Sequence, residues 1–338
     1  MAFLRCPASY PDTPTAVIAS ETHMSWVFLA DDYAYKLKKP IRYDGLDLSS
    51  LEMRRQSCEE EVRLNRRLAP QVYLGVSAIT QAPNGTLALD GHGEAIDWVV
   101  RMRRLPADRM LDALIVSRRA ANHEREIHIV ARYLAEFFAA ARPEVVSAGD
   151  YCARLERGVR EDMEALAAPR YGLSRDRLEA LVRGQLELLG RSPLLFEQRV
   201  QAGRIVEGHG DLRPEHICVR HEPAIIDCLE FSKDLRVLDP LDELAFLALE
   251  CERLGGLPVG SWFLDAYRDV ARDDPPAVLL DFYKVYRALR RAKIAVRHLD
   301  DPTAPDPDCF AARAQRYLEL VEPVAVNSVS RKFPDSRV

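Results

Sequence analysis

Apolar and polar positions change their period twice along the chain. Trp26–Ala30 and Tyr33–Lys38 are β-rich runs separated by the polar pair Asp31-Asp32. Two such runs around a two-residue break predict a β-hairpin. Ser49–Leu68 is instead crowded with Leu, Met, Arg, Gln and Glu. These residues favour a helix, and Ser49 or Ser50 is placed to cap its start. Strand signals return at Val72–Thr80. Asn84-Gly85 marks a turn before Thr86–Leu89, and Ile96–Met102 (IDWVVRM) is a further strand. After Leu105-Pro106 the helical period takes over. His128–Ala141 and Arg175–Leu189 carry apolar residues at helical spacing, and Arg142–Asp150, with Pro143 and Gly149, reads as a loop. Short strand signals reappear at Ile205–Glu207, Ile217–Arg220 and Ala224–Ile226, after which helices dominate to about Val321. In Asp281–Leu299, residues Phe282, Val285, Tyr286, Leu289 and Val296 share one helical face. The proline-rich first dozen residues read as irregular, and the polar Val324–Val338 as a flexible tail.

This order predicts an α+β protein of two lobes, a β-rich one over residues 1–104 and a mostly helical one over 105–323, with a hinge near Met102–Leu105. The 338-residue length fits two lobes better than one core. A net charge of -5 argues against general nucleic-acid binding. The seven cysteines are odd in number, scattered and without a C-x-x-C pair. That argues against a disulfide framework or zinc ribbon and for a reducing compartment. No apolar run suits a signal peptide or a bilayer span, so a soluble cytoplasmic protein without a membrane partner is expected. Oligomeric state cannot be read from the chain.

Chemistry enters with the stretch HGDLRPEHICV, His209 to Val219. Phosphoryl transfer to a hydroxyl needs a carboxylate to take the hydroxyl proton and a second carboxylate for the metal that bridges the phosphates. It also needs a lysine, fixed by a glutamate, for the phosphates that stay behind. The chain offers each in order. Asp211 follows a short strand, and Asp227 ends the apolar run Ala224-Ile225-Ile226. A tight hairpin between them can turn both carboxylates into one cleft. Lys36 lies on the second strand of the early hairpin, and Glu61 on the helix after it. Lys38 shares the strand face of Lys36 and Lys39 is adjacent, so position must decide among them. Glu59, Glu60 and Glu61 form a run, whose plain reading is a solvated helix face.

The ordered set ETHMSWVFL, AYKLKKP, CEEEVRLNRRLAP, HGDLRPEHI, IIDCLEF, LDPLDELAFL and FYKVYRALRRAK resembles the aminoglycoside phosphotransferase family, a branch of the protein-kinase-like fold. The resemblance covers roughly Glu21 to Leu299. It implies that Asp211 is the catalytic aspartate and Asp227 the metal-binding one, with Lys36 the phosphate-binding lysine and Glu61 its partner. Asp239 and Asp242 would brace the loop behind the metal site. Glu21–Ser25, with His23, would cover the phosphates, and Met102 and Arg103 would meet the nucleotide at the hinge. ATP or another NTP, magnesium and a small-molecule hydroxyl acceptor are the implied ligands, with the nucleotide between the lobes.

Three departures bear on function. ETHMS contains no glycine. Arg213 stands where protein kinases carry lysine, and its planar fork can still steady the transferring charge. His216 replaces the usual metal-binding asparagine, and two readings of it stand: a ligand through neutral imidazole, or a brace of the loop. His209 reads as a brace, and His23 as either a phosphate contact or a polar loop residue. The reading is an ATP-dependent phosphotransferase. A pseudokinase that binds nucleotide or a partner without turnover is the alternative. A hydrolytic metal centre of His209, Asp211, His216, His221 and Asp227 is a third, and it leaves the lysine strand and the glutamate helix unexplained.

Overall fold

The computed structural model describes residues 1–43, 46–300 and 306–330. They form two compact units. The first comprises Met1–Leu114, His209–Asp211 and Glu215–Arg236, and the second Ile115–Gly208, Leu212–Pro214 and Val237–Val338. The protein is α+β, with a β-sheet in the first unit and helices dominating the second.

The sheet of the first unit has six strands: β1 (Val17–Glu21), β2 (Ser25–Ala30), β3 (Tyr33–Lys38), β4 (Tyr73–Gln81), β5 (Leu87–Leu89) and β6 (Glu94–Arg103). Their spatial order is β1-β2-β3-β6-β4-β5, all antiparallel. The expected hairpin is present, with Val27 opposite Lys36. Strand alternation sends successive side chains to opposite faces. Tyr35 and Leu37 of β3 enter one core with Leu4, Tyr10, Phe28 and Val99. Ala34 enters the other, with Cys58, Val62, Tyr73, Val100 and Met102. Lys36 and Lys38 have the parity of Ala34, so they project toward the side covered by the helix Leu51–Asn65.

The proline-rich start is not irregular. Helix α1 (Ala2–Arg5) and a 3-10 turn at Pro7–Ser9 lay Leu4 and Tyr10 on the outer face of the sheet. The Tyr10 hydroxyl closes this segment by donating to the Leu4 carbonyl at 2.5 Å. Helix α2 (Leu51–Asn65) is capped by Ser50, whose Oγ accepts from the Met53 N–H. Its Cys58 and Val62 seal the inner face. A small antiparallel ladder, Ile217–Cys218 with Ala224–Ile225, belongs to the same unit and adds Cys218 and Ala224 to that core.

Helix α3 (Leu111–Val116) follows the sheet. The second unit holds α4 (Glu124–Ala140), α5 (Ala148–Leu166), α6 (Arg175–Arg191), α7 (Pro193–Gln201), α8 (Pro240–Arg253), α9 (Leu257–Ala271), α10 (Ala277–Arg297) and α11 (Pro307–Ser330). The loop expected through Asp150 ends earlier, because Ser147 caps α5 by accepting from the Asp150 N–H. Residues 324–330 continue α11, whereas 331–338 of the expected tail lie outside the described residues. Helix α8 is buried nearly all round, as a central helix must be. The expected apolar face of α10, Phe282, Val285, Tyr286, Leu289 and Val296, is buried. Asp239 and Asp242 are each gripped by an arginine fork, Asp239 by Arg199 at 2.7 and 2.8 Å and Asp242 by Arg287 at 2.6 and 2.9 Å. Among the described residues no helix is long and apolar enough to cross a membrane.

Candidate active site

Strand β3, helix α2 and the segment Asp227–Glu230 bring five charged side chains together inside the first unit. Lys36 Nζ lies 3.0 Å from Glu61 Oε1 and 2.6 Å from Asp227 Oδ1. Lys38 Nζ lies 2.6 Å from Glu61 Oε2 and 2.5 Å from Glu230 Oε1. Glu61 is fully buried and gives one oxygen to each lysine. The run Glu59–Glu61 is therefore not simply a solvated face. The two lysines differ in environment, since the Lys36 side chain is 15% exposed and that of Lys38 only 2%.

Burial works against a charge on Lys36, but Asp227 and Glu61 more than offset it, so its ammonium is held well above the usual lysine range. Burial likewise opposes ionisation of Asp227. Lys36 and the His216 ring reverse that and hold the carboxyl far below the usual range. One face of Asp227 stays open, with 44% of its side chain accessible.

The backbone around Asp227 is held by neighbours. Its N–H donates to the Tyr73 hydroxyl at 3.1 Å, and the next N–H, of Cys228, donates to Asn65 Oδ1 at 2.8 Å. Asn65 Nδ2 in turn donates to the Glu61 carbonyl, so one amide side chain ties helix α2 to this segment. Asp227 sits at φ 61°, the left-handed region that aspartate and asparagine tolerate better than most residues.

Two histidines shape the neighbouring loop. His209 Nε2 donates to the Ile226 carbonyl at 2.8 Å, and its Nδ1 accepts from the Asp211 N–H at 3.3 Å. That tautomer is neutral, and a second proton would set Nδ1–H against an N–H. Burial and the adjacent His216 ring push the His209 pKa down to about 4. His209 braces the loop. His216 Nδ1 meets the Asp211 carbonyl at 2.9 Å and must donate to it, because a carbonyl can only accept. This points His216 Nε2 at Asp227 Oδ2, 3.4 Å away.

The remaining expected residues fall as follows. Asp211 lies half-buried in the first unit beside His209, and Arg213 belongs to the second unit. His23 is exposed in the turn between β1 and β2, where the Thr22 Oγ accepts from the Ser25 N–H. Met102 is buried in the inner core and Arg103 is exposed at the end of β6. The backbone N–H of Arg103 is taken by the Val72 carbonyl. Among the described residues, no three His, Cys, Asp or Glu side chains converge to hold a metal. Sequence reading weighed Lys38 only as a rival to Lys36, and did not single out Glu230 or Asn65 as parts of the cluster. Glu230 carried one usable signal, an acid three residues after Asp227 in an apolar context.

No family model matches the chain. Uncharacterised proteins of Mycobacterium bovis and Mycobacterium tuberculosis are 36% identical over 285 residues, 81% of this chain. The chain spans about half, 53%, of the length of these curated relatives. Among solved structures, a choline/ethanolamine kinase family protein from Mesorhizobium loti aligns over 98% of both chains with a TM-score of 0.56 and 16% identity. A GDP complex of an aminoglycoside 2'-phosphotransferase aligns over 96% of both, with a TM-score of 0.53 and 16% identity. Choline kinase from Cryptosporidium parvum aligns over 97% of this chain and 96% of its own, at 0.54 and 10%. The fold is thus the protein-kinase-like fold of aminoglycoside phosphotransferases and choline kinases.

Two outcomes follow from this geometry. His209 refuses a proton that the unfolded chain accepts between about pH 6.5 and pH 4. Folding stability therefore falls as pH drops through that window, and His209 accounts for about 2 kcal/mol of the loss by pH 5. Denaturant titration at pH 7 and pH 5 should show that much less acid sensitivity in His209→Gln, and equal sensitivity would refute a buried neutral imidazole. At Asp227, removal of the carboxylate and strain of the backbone can be separated. Asp227→Asn should be more stable than Asp227→Ala by about 1 kcal/mol, because asparagine tolerates positive φ. The difference in unfolding midpoints measures it.

Proposed function

We propose that this chain, with its kinase-like fold, is an ATP-dependent phosphotransferase that passes the γ-phosphoryl group to a hydroxyl of a small molecule. The observation that carries this is Lys36, held between Glu61 and Asp227 with an accessible carboxylate face beside it. A lysine fixed by a buried glutamate and adjoining a second acid is the arrangement that phosphoryl transfer requires.

In this reading Lys36 grips the phosphates that are not transferred. Asp211 orients the acceptor hydroxyl and takes its proton, and Arg213 steadies the charge on the transferring group. The turn carrying His23 covers the phosphates with backbone amides and side-chain hydroxyls in place of glycines. Met102 and Arg103 border the base. The donor set fits a divalent cation, since an open Asp227 oxygen and the directed nitrogen of His216 lie side by side. When bound, magnesium or manganese supplies charge neutralisation between the phosphates. The bond from Nδ1 to the Asp211 carbonyl turns Nε2 of His216 toward Asp227 Oδ2, which favours the ligand reading over the brace alone. A nitrogen donor also suits manganese better than magnesium.

Thermal denaturation with ATP, with and without divalent cation, tests the reading. Saturating nucleotide should stabilise the protein by a few kcal/mol, about 2.7 kcal/mol at a hundredfold excess over Kd. Asp211→Asn should keep this stabilisation and lose at least 100-fold in phosphoryl transfer to a panel of hydroxyl compounds. The panel begins with choline, ethanolamine and aminoglycosides, the classes for which the similar kinases are named. No stabilisation by any nucleotide would remove the proposal, and stabilisation without turnover in the unmodified protein would select the pseudokinase. Metal titration separates the roles of His216, because His216→Asn should move the preference from manganese toward magnesium. An unchanged preference would leave His216 as a brace.

A further inference from the structure

Lys38 is the group in the cluster that the proposed reaction does not use. It is 1% exposed, so it is not placed to meet a ligand from solvent. Its ammonium is nevertheless shared between two buried acids, Glu61 at 2.6 Å and Glu230 at 2.5 Å. Glu230 follows Asp227 by three positions, and Lys38 follows Lys36 by two on the same strand face. The contacts therefore form two rungs between β3 and the Asp227–Glu230 segment, Lys36–Asp227 and Lys38–Glu230. Glu61 joins them from helix α2.

The rungs differ in what they can do. Lys36 and Asp227 are the more accessible pair, with 15% and 44% of their side chains exposed, and can exchange partners with a ligand. Lys38 and Glu230 are shut in, and a lone charge in such a place is strongly disfavoured. The inner rung therefore has no cheap alternative arrangement. Glu61 Oε2 is fastened to it, which fixes the plane of the carboxylate and hence the direction in which Oε1 holds Lys36.

We propose that Lys38 is a positioning residue: through Glu61 it aims the Lys36 ammonium at the phosphates of a bound nucleotide, with Glu230 as its anchor. This rests on the nucleotide reading above and concerns that same site. It makes a specific demand, that loss of Lys38 should weaken recognition of phosphate groups and leave recognition of the nucleoside alone.

The test compares the affinities of adenosine and of ADP with divalent cation, by calorimetry on the full chain. In Lys38→Met, ADP affinity should drop at least tenfold while adenosine affinity stays within about twofold. Lys38→Arg, which keeps the charge, should restore most of the ADP affinity. Because Lys38→Met strands two buried acids and can fail to fold, Lys38→Met/Glu230→Gln carries the comparison in its place. That pair leaves the net charge of the cluster as it was but still frees Glu61 Oε2, so the selective loss of ADP affinity should persist. Normal ADP affinity in the folded double variant, or equal losses of ADP and adenosine, would overturn the positioning role. Absence of binding of both compounds to the unmodified protein would overturn the nucleotide reading itself, and this inference with it.

Discussion

The charge on Glu61 is the constraint around which the first unit is arranged. A carboxylate without solvent is tolerable only when paired and hydrogen-bonded, and here two ammonium groups divide its oxygens. Each lysine then carries a second acid, Asp227 on one side and Glu230 on the other. Remove any inner member and a neighbour is left with an uncompensated charge, so the group stands or falls together. The sheet supplies the lysines at the right spacing because strand side chains alternate, and the apolar residues that alternate with them, Tyr35 and Leu37, anchor the strand from the other face.

Much of this was legible in the chain because the pieces are local. The Trp26–Lys38 hairpin, the helix that starts at Ser50 and the short ladder between Asp211 and Asp227 announce themselves by period and by turn residues. Asp211, Asp227, Lys36 and Glu61 were singled out on other grounds, by residue type in order along the chain and by the family resemblance. What could not be read was which lysine would be shut away, since Lys36 and Lys38 have the same parity and similar neighbours. That depends on Glu230, which reaches the strand only through the tertiary fold. Asn65 was hidden likewise, as an asparagine near a helix end reads first as a stop signal.

The misread elements have a common cause. A four-residue helix such as α1 is unstable alone, and it exists here because Leu4 and Tyr10 find an apolar sheet face. Strand β1 was not distinguished because Val17–Glu21 is short and ends in the polar Ser20 and Glu21, as befits an edge strand. The start of α5 was obscured by Gly149, which the Ser147 cap accommodates in the first turn, where the backbone penalty is small. In each case a tertiary contact or a cap outweighed propensity.

The amide of Asn65 carries a mechanical meaning. It holds the Glu61 carbonyl with one end and the Cys228 N–H with the other, so helix α2 and the Asp227 segment are fastened at the level of the backbone as well as through their charges. Kinases of this general fold are often governed by swinging the glutamate helix away from its lysine. Here such a swing would have to tear a buried amide bridge and two ion pairs at once. The helix and the segment are thus fastened to each other through one buried side chain.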